Sequence, residues 1–287
     1  MSEAVDVSAS GTSAIGGDLT VNRLGFGAMR LTGPGIWGEP EDPDEAKRVL
    51  KRALELGVDL IDTADSYGPH VSERLIGETL HPYPYGLVVA TKGGLLRPGP
   101  GRWDPDCSPA HLREAIEGSL RRLKLDRIDL YQLHTVDRRV PYAESVGALA
   151  ELRREGKIRH VGISNVSVAN VKEARGIVEV FTVQNLYNLA NRDSEDVLDH
   201  CEREGIGFIP WFPLDAGKLA EPGGVVADVS KRHEATPAQV AIAWLLQRSP
   251  VMLPIPGTSS VRHLEENCAA AHLRLTDEEF AAIADAA

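Results

Sequence analysis

The sequence predicts a single-domain α/β protein of the (β/α)8, or TIM-barrel, kind. Three observations carry this expectation. Eight short apolar runs alternate with amphipathic stretches along the 287 residues. The runs are continuously apolar rather than alternating, the pattern of parallel strands covered on both faces. Several runs also end in an ionisable or aromatic residue, as strands do where a parallel barrel opens its active site.

The elements follow in order. The N-terminal stretch MSEAVDVSASGTSAIGGDLT is acidic and rich in Ser and Gly. It has neither a basic segment nor an apolar one, so it is not a secretory signal. Residues 1–17 read as a loose, flexible tail, and residues 18–287 as the barrel. The strand candidates are RLGFGAM, DLIDTA, LVVATK, RIDLYQLH, IRHVGISN, FTVQNLYN, GFIPWFPL and VMLPIPG. Helical patterns lie between them over Asp44–Leu56, Ser108–Leu123, Tyr142–Glu155 and Ser194–Glu204. Ser108-Pro109 and Thr236-Pro237 each place a capping residue before a proline at the first helical position. Gly57, Gly156 and Gly205 fall just past helix ends, where a left-handed residue is wanted. The Gly/Pro-rich patches Thr32–Pro43, Arg97–Pro109 and Asp215–Gly224 all follow strands, so they read as loops of the active face rather than as linkers. The rival fold is a doubly wound open sheet. Its glycine-rich first turn could only be Gly25-Phe26-Gly27-Ala28-Met29-Arg30, which lacks the third glycine.

Composition narrows the function classes. The chain is 43% hydrophobic, ample for a large core. Its 31 basic and 42 acidic residues give a net charge of −11, which argues against a nucleic-acid or anionic-membrane partner. The three cysteines, Cys107, Cys201 and Cys268, are widely spaced, as expected in a reducing cytoplasm and not in a disulfide framework. No stretch approaches the roughly 18 apolar residues of a transmembrane helix.

Four strand-end residues form the candidate chemistry. Lys92 closes an apolar strand, where an ammonium is costly unless paired. Asp62, at the same height on the preceding strand, can pair it. Tyr67 lies five residues beyond Asp62, far enough to leave the strand and fold back over the barrel mouth. A cation beside a phenol stabilises phenolate and lowers its pKa. His134, at the end of the following strand, adds a donor of variable protonation. Each has a plain structural alternative taken alone: a lysine snorkelling to solvent, or a satisfied core histidine.

Other barrel chemistries lack their parts. The nine histidines include no HxH or HExxH pair, so no metal site is expected. There is no GxSxG elbow and no GxxxxGK[ST] loop. Asp62 and Asp65 have no strand-end glutamate for a glycosidase pair. A proton donor tuned by lysine suits a carbonyl being reduced, with hydride from a bound cofactor. Trp37 and Trp103, in the loops after the first and third strands, are candidate walls of an aromatic substrate pocket. His70 could touch a polar substrate or serve only at the helix start beside it.

These residues resemble the aldo/keto reductase superfamily from Leu24 to the C-terminus. The resemblance rests on LGFGAMR, IDTADSYG, ATKGG, DLYQLH, EGKIRHVGISN, the glutamine of VQNLYN, WFPL and IPGTSSVRHLEEN, in that order. LTGPGIWG, YGPH, LHPYP, QNLYNLANR and WLLQRSP are most similar to bacterial members resembling pyridoxal reductase. The resemblance implies a barrel that binds NADPH (NADH less well) and a catalytic tetrad of Asp62, Tyr67, Lys92 and His134. It implies that Ser164, Asn165 and Gln184 hold the nicotinamide carboxamide and that Trp211 stacks on the ring. It also places Ala28, Met29, Phe212, Pro213, Leu214, Gly217 and Lys218 along the cofactor. Ile255, Gly257, Thr258, Ser259, His263, Glu266 and Asn267 would cradle the adenosine 2′-phosphate, at the start of a helix that can offer backbone N–H groups. Many members have lysine where Gly257 stands and arginine where His263 stands; Arg262 is adjacent. Discrimination for NADPH is therefore expected to be weaker and more sensitive to salt. The implied reaction is reduction of an aldehyde or ketone, pyridoxal among the substrates. A barrel that binds NADP(H) as a redox sensor with little turnover is the alternative.

Overall fold

The computed structural model of the protein describes residues 5–214 and 224–286. Among them the strands are β1 (Thr12–Ile15), β2 (Leu19–Asn22), β3 (Phe26–Gly27), β4 (Leu60–Asp62), β5 (Val88–Gly93), β6 (Leu95–Leu96), β7 (Asp104–Pro105), β8 (Ile128–Leu133), β9 (Ile158–Ser164), β10 (Val180–Leu186) and β11 (Gly207–Trp211). The helices are α1 (Pro43–Glu55), α2 (Val71–Leu80), α3 (Pro109–Leu123), α4 (Tyr142–Arg154), α5 (Val168–Arg175), α6 (Glu195–Glu204), α7 (Val225–Arg232), α8 (Pro237–Arg248), α9 (Val261–Ala269) and α10 (Asp277–Ala286). Seven strands form one parallel sheet in the order β11-β10-β9-β8-β5-β4-β3. Helices follow strands along the chain, as a right-handed parallel sheet requires.

The helix signals read from sequence are in place. Asp42, Ser108 and Thr236 cap α1, α3 and α8 through their side chains, each ahead of a proline. Gly57, Gly156 and Gly205 all have positive φ.

The eighth apolar run is not a regular strand. Residues 251–257 instead run between the two edges of the sheet. On one side Phe208 N donates to Val251 O at 2.8 Å and Leu253 N donates to Phe208 O at 2.8 Å. On the other, Gly25 N donates to Pro254 O at 2.9 Å. Pro254 and Pro256 have no N–H to give, which prevents a continuous ladder.

The expectation of a loose N-terminal tail is overturned for its described part. Residues 7–10 form a 3-10 turn, and β1 pairs antiparallel with β2. Ile15, Leu19 and Val21 are buried in one cluster with Leu60, Val88, Leu130 and Ile209 from the strands. Asn22 N donates to Asp59 at 2.8 Å, and Asp18 meets His160 at 2.6 Å. Asp59 precedes β4 and His160 sits early in β9, so the hairpin covers the parallel sheet at the N-terminal ends of its strands.

Strand parity sets what faces where. Leu60 and Asp62, Val88, Ala90 and Lys92, Leu130 and Gln132, and Ile209 and Trp211 share the inner face with period two. Ile61 and Val89, or Tyr131, Leu133, Val161 and Ile163, belong to separate clusters beneath the helices. The inner face is thus apolar at the covered end and polar at the other.

Candidate active site

The polar layer at the C-terminal strand ends is built around Lys92. Its side chain is 0% exposed and that of Asp62 is 2% exposed. Lys92 Nζ donates to Asp62 Oδ1 at 2.5 Å, to Thr63 O at 2.8 Å and to Tyr67 Oη at 3.2 Å. Three acceptors satisfy the three ammonium hydrogens, which is what permits the charge inside the protein. Asp62 Oδ2 accepts from Gln132 Nε2 at 3.0 Å and from Gln184 Nε2 at 2.8 Å. Burial works against the Lys92 charge, but Asp62 and Tyr67 outweigh it and hold the ammonium above its ordinary pKa.

Tyr67 leaves β4 through a turn in which its N–H donates to Ala64 O at 3.2 Å. Its ring packs edge-on against Trp103, with centroids 6.4 Å apart, and against His134 at 5.9 Å. Burial pushes the phenol upward, Lys92 pulls it down, and Asp62 and Asp65 push it up again. The net displacement is upward, which corrects the expectation of a lowered phenol: in a buried site, desolvation outweighs one neighbouring cation that is itself neutralised by Asp62. The phenol therefore keeps its proton at neutral pH. His134 is held well below the ordinary imidazole value, by burial first and Lys92 second, so it is neutral at pH 7. Its Nδ1 lies 3.4 Å from Ser66 Oγ.

Above this layer opens a cavity of about 520 Å³. Of the residues singled out from the sequence, Asp62, Tyr67, His134, Met29, Ser164, Asn165, Gln184, Trp211, Phe212, Pro213, Leu214, Ile255, Gly257 and Trp103 line it. Asn165 links the wall: its Nδ2 donates to His134 O at 2.9 Å and its Oδ1 accepts from Trp211 Nε1 at 2.9 Å. Asn165 and Phe212 both have positive φ, 58° and 56°. For Phe that conformation is strained, and Asn188 holds it by donating to Phe212 O at 2.9 Å.

Several expected residues stand elsewhere. Lys92 lies beneath the cavity and Ala28 is fully buried outside it. Gly217 and Lys218 lie outside the described residues. Ser259 faces a second cavity of about 340 Å³. His263 is exposed, next to Arg262, whose side chain is 78% exposed and pairs with Glu266 at 3.6 Å. Thr258 accepts from Ser260 N at 3.1 Å, and Asn267 is buried. At the start of α9, where an anion site is expected, Val261 N donates to Glu45 Oε1 at 2.9 Å. Trp37 does not reach the main cavity. It backs Arg97, whose guanidinium lies 3.6 Å from the Trp103 ring centre and 5.6 Å from that of Trp37. His70 is an exposed residue with φ of 69° just before α2.

Sequence reasoning missed Gly27, Arg30, Ile36 and Leu95 on the cavity wall, Gln132 on Asp62, and Arg97. Gln132 had a signal: it shares strand parity with Leu130 and His134. Arg97 had none, because its four hydrogen bonds go to backbone carbonyls of Gly35, Ile36, Ser66 and Arg102 in three separate segments.

The arrangement can donate a proton from Tyr67 into a confined, mostly apolar space and stabilise the phenolate left behind. The wall also fits a nicotinamide dinucleotide: an indole and aliphatic side chains offer an apolar face, and Ser164, Asn165 and Gln184 offer groups for a carboxamide.

The chain is similar to known proteins. A model of the aldo/keto reductase family matches residues 23–287. An uncharacterized oxidoreductase of Schizosaccharomyces pombe is 54% identical over 280 residues, covering 98% of this chain and 91% of the relative. The pyridoxine 4-dehydrogenase of Escherichia coli is 46% identical over 268 residues, covering 91% and 93%. The crystal structure of an aldo/keto reductase from Klebsiella pneumoniae in complex with NADP and acetate superposes with a TM-score of 0.81 at 28% identity, covering 95% and 93%.

Proposed function

The chain belongs to the aldo/keto reductase family, and on that premise we propose an NADPH-dependent oxidoreductase that reduces pyridoxal to pyridoxine. The coarser activity, reduction of an aldehyde or ketone to an alcohol with NADPH, rests on the family and on the NADP-bound relative. The choice of pyridoxal rests on the similarity to a pyridoxine dehydrogenase and on the aromatic wall formed by Trp103 and Tyr67.

One observation carries the mechanism: Tyr67 Oη lies 3.2 Å from a fully buried lysine that Asp62 anchors. NADPH, when bound, would supply the hydride. Ser164, Asn165 and Gln184 would hold its carboxamide, and Trp211 would offer its ring an apolar face. As the carbonyl carbon is reduced, charge builds on the oxygen, and Tyr67 gives that oxygen its proton. Lys92 stabilises the resulting phenolate, and Asp62, fixed by Gln132 and Gln184, keeps Lys92 aimed. Neutral His134 orients the carbonyl oxygen through one ring N–H. Residues 251–257 act as the eighth stave of a single-domain barrel; bonds from that segment to both sheet edges support this. The three free thiols, all buried, suit a cytoplasmic setting.

The test is NADPH oxidation against a panel of carbonyl compounds that includes pyridoxal, repeated with NADH and with Tyr67→Phe. We expect turnover of pyridoxal by the wild type, and a loss of about 10²-fold or more in Tyr67→Phe with NADPH affinity retained. Near-full turnover by the variant on several aldehydes would remove Tyr67 as the acid.

A further inference from the structure

The cavity must hold a coenzyme carrying several phosphate charges, yet among its described lining residues there is a single Arg or Lys side chain, Arg30. Arg30 follows the short first strand of the sheet and is exposed. Among the described residues, no hydrogen bond or ion pair engages its guanidinium, whereas most described arginines are held by carboxylates or carbonyls. The side chain crosses the face of Gly257: a Cβ built on that glycine would lie 3.6 Å from Arg30 Cγ. The same Cβ would lie 2.6 Å from Gly27 O, and a Cβ on Gly27 would lie 2.6 Å from Ile255 O. The two backbones thus approach too closely for any side chain at position 257. A cation can reach this part of the wall from position 30 but not from 257.

Among the described residues, the other sources of positive potential near this wall are engaged elsewhere. At the start of α9, Val261 N is engaged by Glu45, and Arg262 pairs with Glu266 away from the cavity. Lys92 is buried against Asp62. Arg30 also borders the second cavity, where Ser259 shares the wall with Glu41 and Asp42. Those two carboxylates disfavour an anion on their side, which leaves the Gly257 side of Arg30 for one.

We propose that Arg30 is a coenzyme-binding residue whose guanidinium holds a phosphate group of the dinucleotide across the face of Gly257. The proposal rests on the coenzyme reading above. A planar guanidinium with no partner among the described residues can meet phosphate oxygens in pairs, and such charge-assisted bonds are among the stronger polar contacts.

The test measures Kd for NADPH and for NADH by quenching of tryptophan fluorescence, in wild type, Arg30→Ala and Arg30→Lys, with thermal melts as a check on folding. Arg30→Ala is expected to weaken NADPH binding by about tenfold or more, a hydrogen-bonded charge pair being worth at least that. Arg30→Lys should recover part of the loss. A loss confined to NADPH assigns the contact to the 2′-phosphate; a loss shared equally with NADH assigns it to the diphosphate. Unchanged affinity for both coenzymes in a folded Arg30→Ala protein overturns the proposal. Failure of the wild type to bind either coenzyme overturns the functional reading instead, so the two failures are distinct.

Discussion

At the scale of single residues, the site shows how burial and pairing divide the work. Lys92 is charged inside the protein because three acceptors surround it, and Asp62 is held from both oxygens. Asp65, three residues on, is the contrasting case. It is buried, its Oδ1 has no partner among the described residues, and burial together with the nearby Glu73 holds its carboxyl well above the ordinary value. In the unfolded chain that carboxyl ionises near its ordinary value. As pH rises past that point, the unfolded chain releases a proton that the folded protein keeps, so stability falls. Asp65→Asn removes this titration. The Tm difference between the variant and the wild type should therefore move in the variant's favour between pH 4 and pH 7. A difference that is flat across that range would mean that Asp65 is not the titrating group. His134 has the opposite sign. Its depressed folded value means that acid below the ordinary imidazole range protonates the unfolded chain first, so His134 makes the fold less stable as pH falls through that range.

At the scale of elements, the N-terminal hairpin is the clearest case of structure hidden from the sequence. Ile15 and Val21 sit among Ser, Thr and Gly, and no local pattern says that they will meet Leu60, Val88 and Leu130. Ile15 is 2% exposed at the end of the sheet away from Tyr67. Ile15→Ala should lower stability by about 2–5 kcal/mol in urea denaturation, with kcat/KM unchanged under conditions where the variant is folded. A surface tail would give a change within roughly 0.5 kcal/mol. The strand ends, by contrast, were legible because Asp62, Lys92 and His134 each interrupt an apolar run where a barrel opens. Helix ends were legible through Gly57, Gly156 and Gly205, whose positive φ is a local demand. The eighth run misled because its apolar composition matched a strand while Pro254 and Pro256 removed the donors. The aromatic wall was half legible. Tryptophans in loops suggested a pocket, but only the meeting of three segments at Arg97 decides that Trp103 faces the cavity and Trp37 stands behind it.

At the scale of the whole molecule, the charge balance and the coenzyme pull in opposite directions. The protein carries −11 overall, and NADPH is itself a polyanion. Long-range repulsion therefore slows the encounter, and added salt relieves it: the screening length falls from about 30 Å at 0.01 M to about 8 Å at 0.15 M. Once the coenzyme is seated, the local contact with Arg30 favours binding, and salt weakens it. The two effects act on different rate constants. Stopped-flow fluorescence from roughly 10 to 150 mM salt should show the association rate constant rising by a few-fold in both wild type and Arg30→Ala. The dissociation rate constant should rise with salt in the wild type and stay nearly flat in the variant. An association rate that falls with salt in the wild type would mean that a local positive field outweighs the net charge at the cavity mouth. The cation responsible would then have to be sought beyond Arg30.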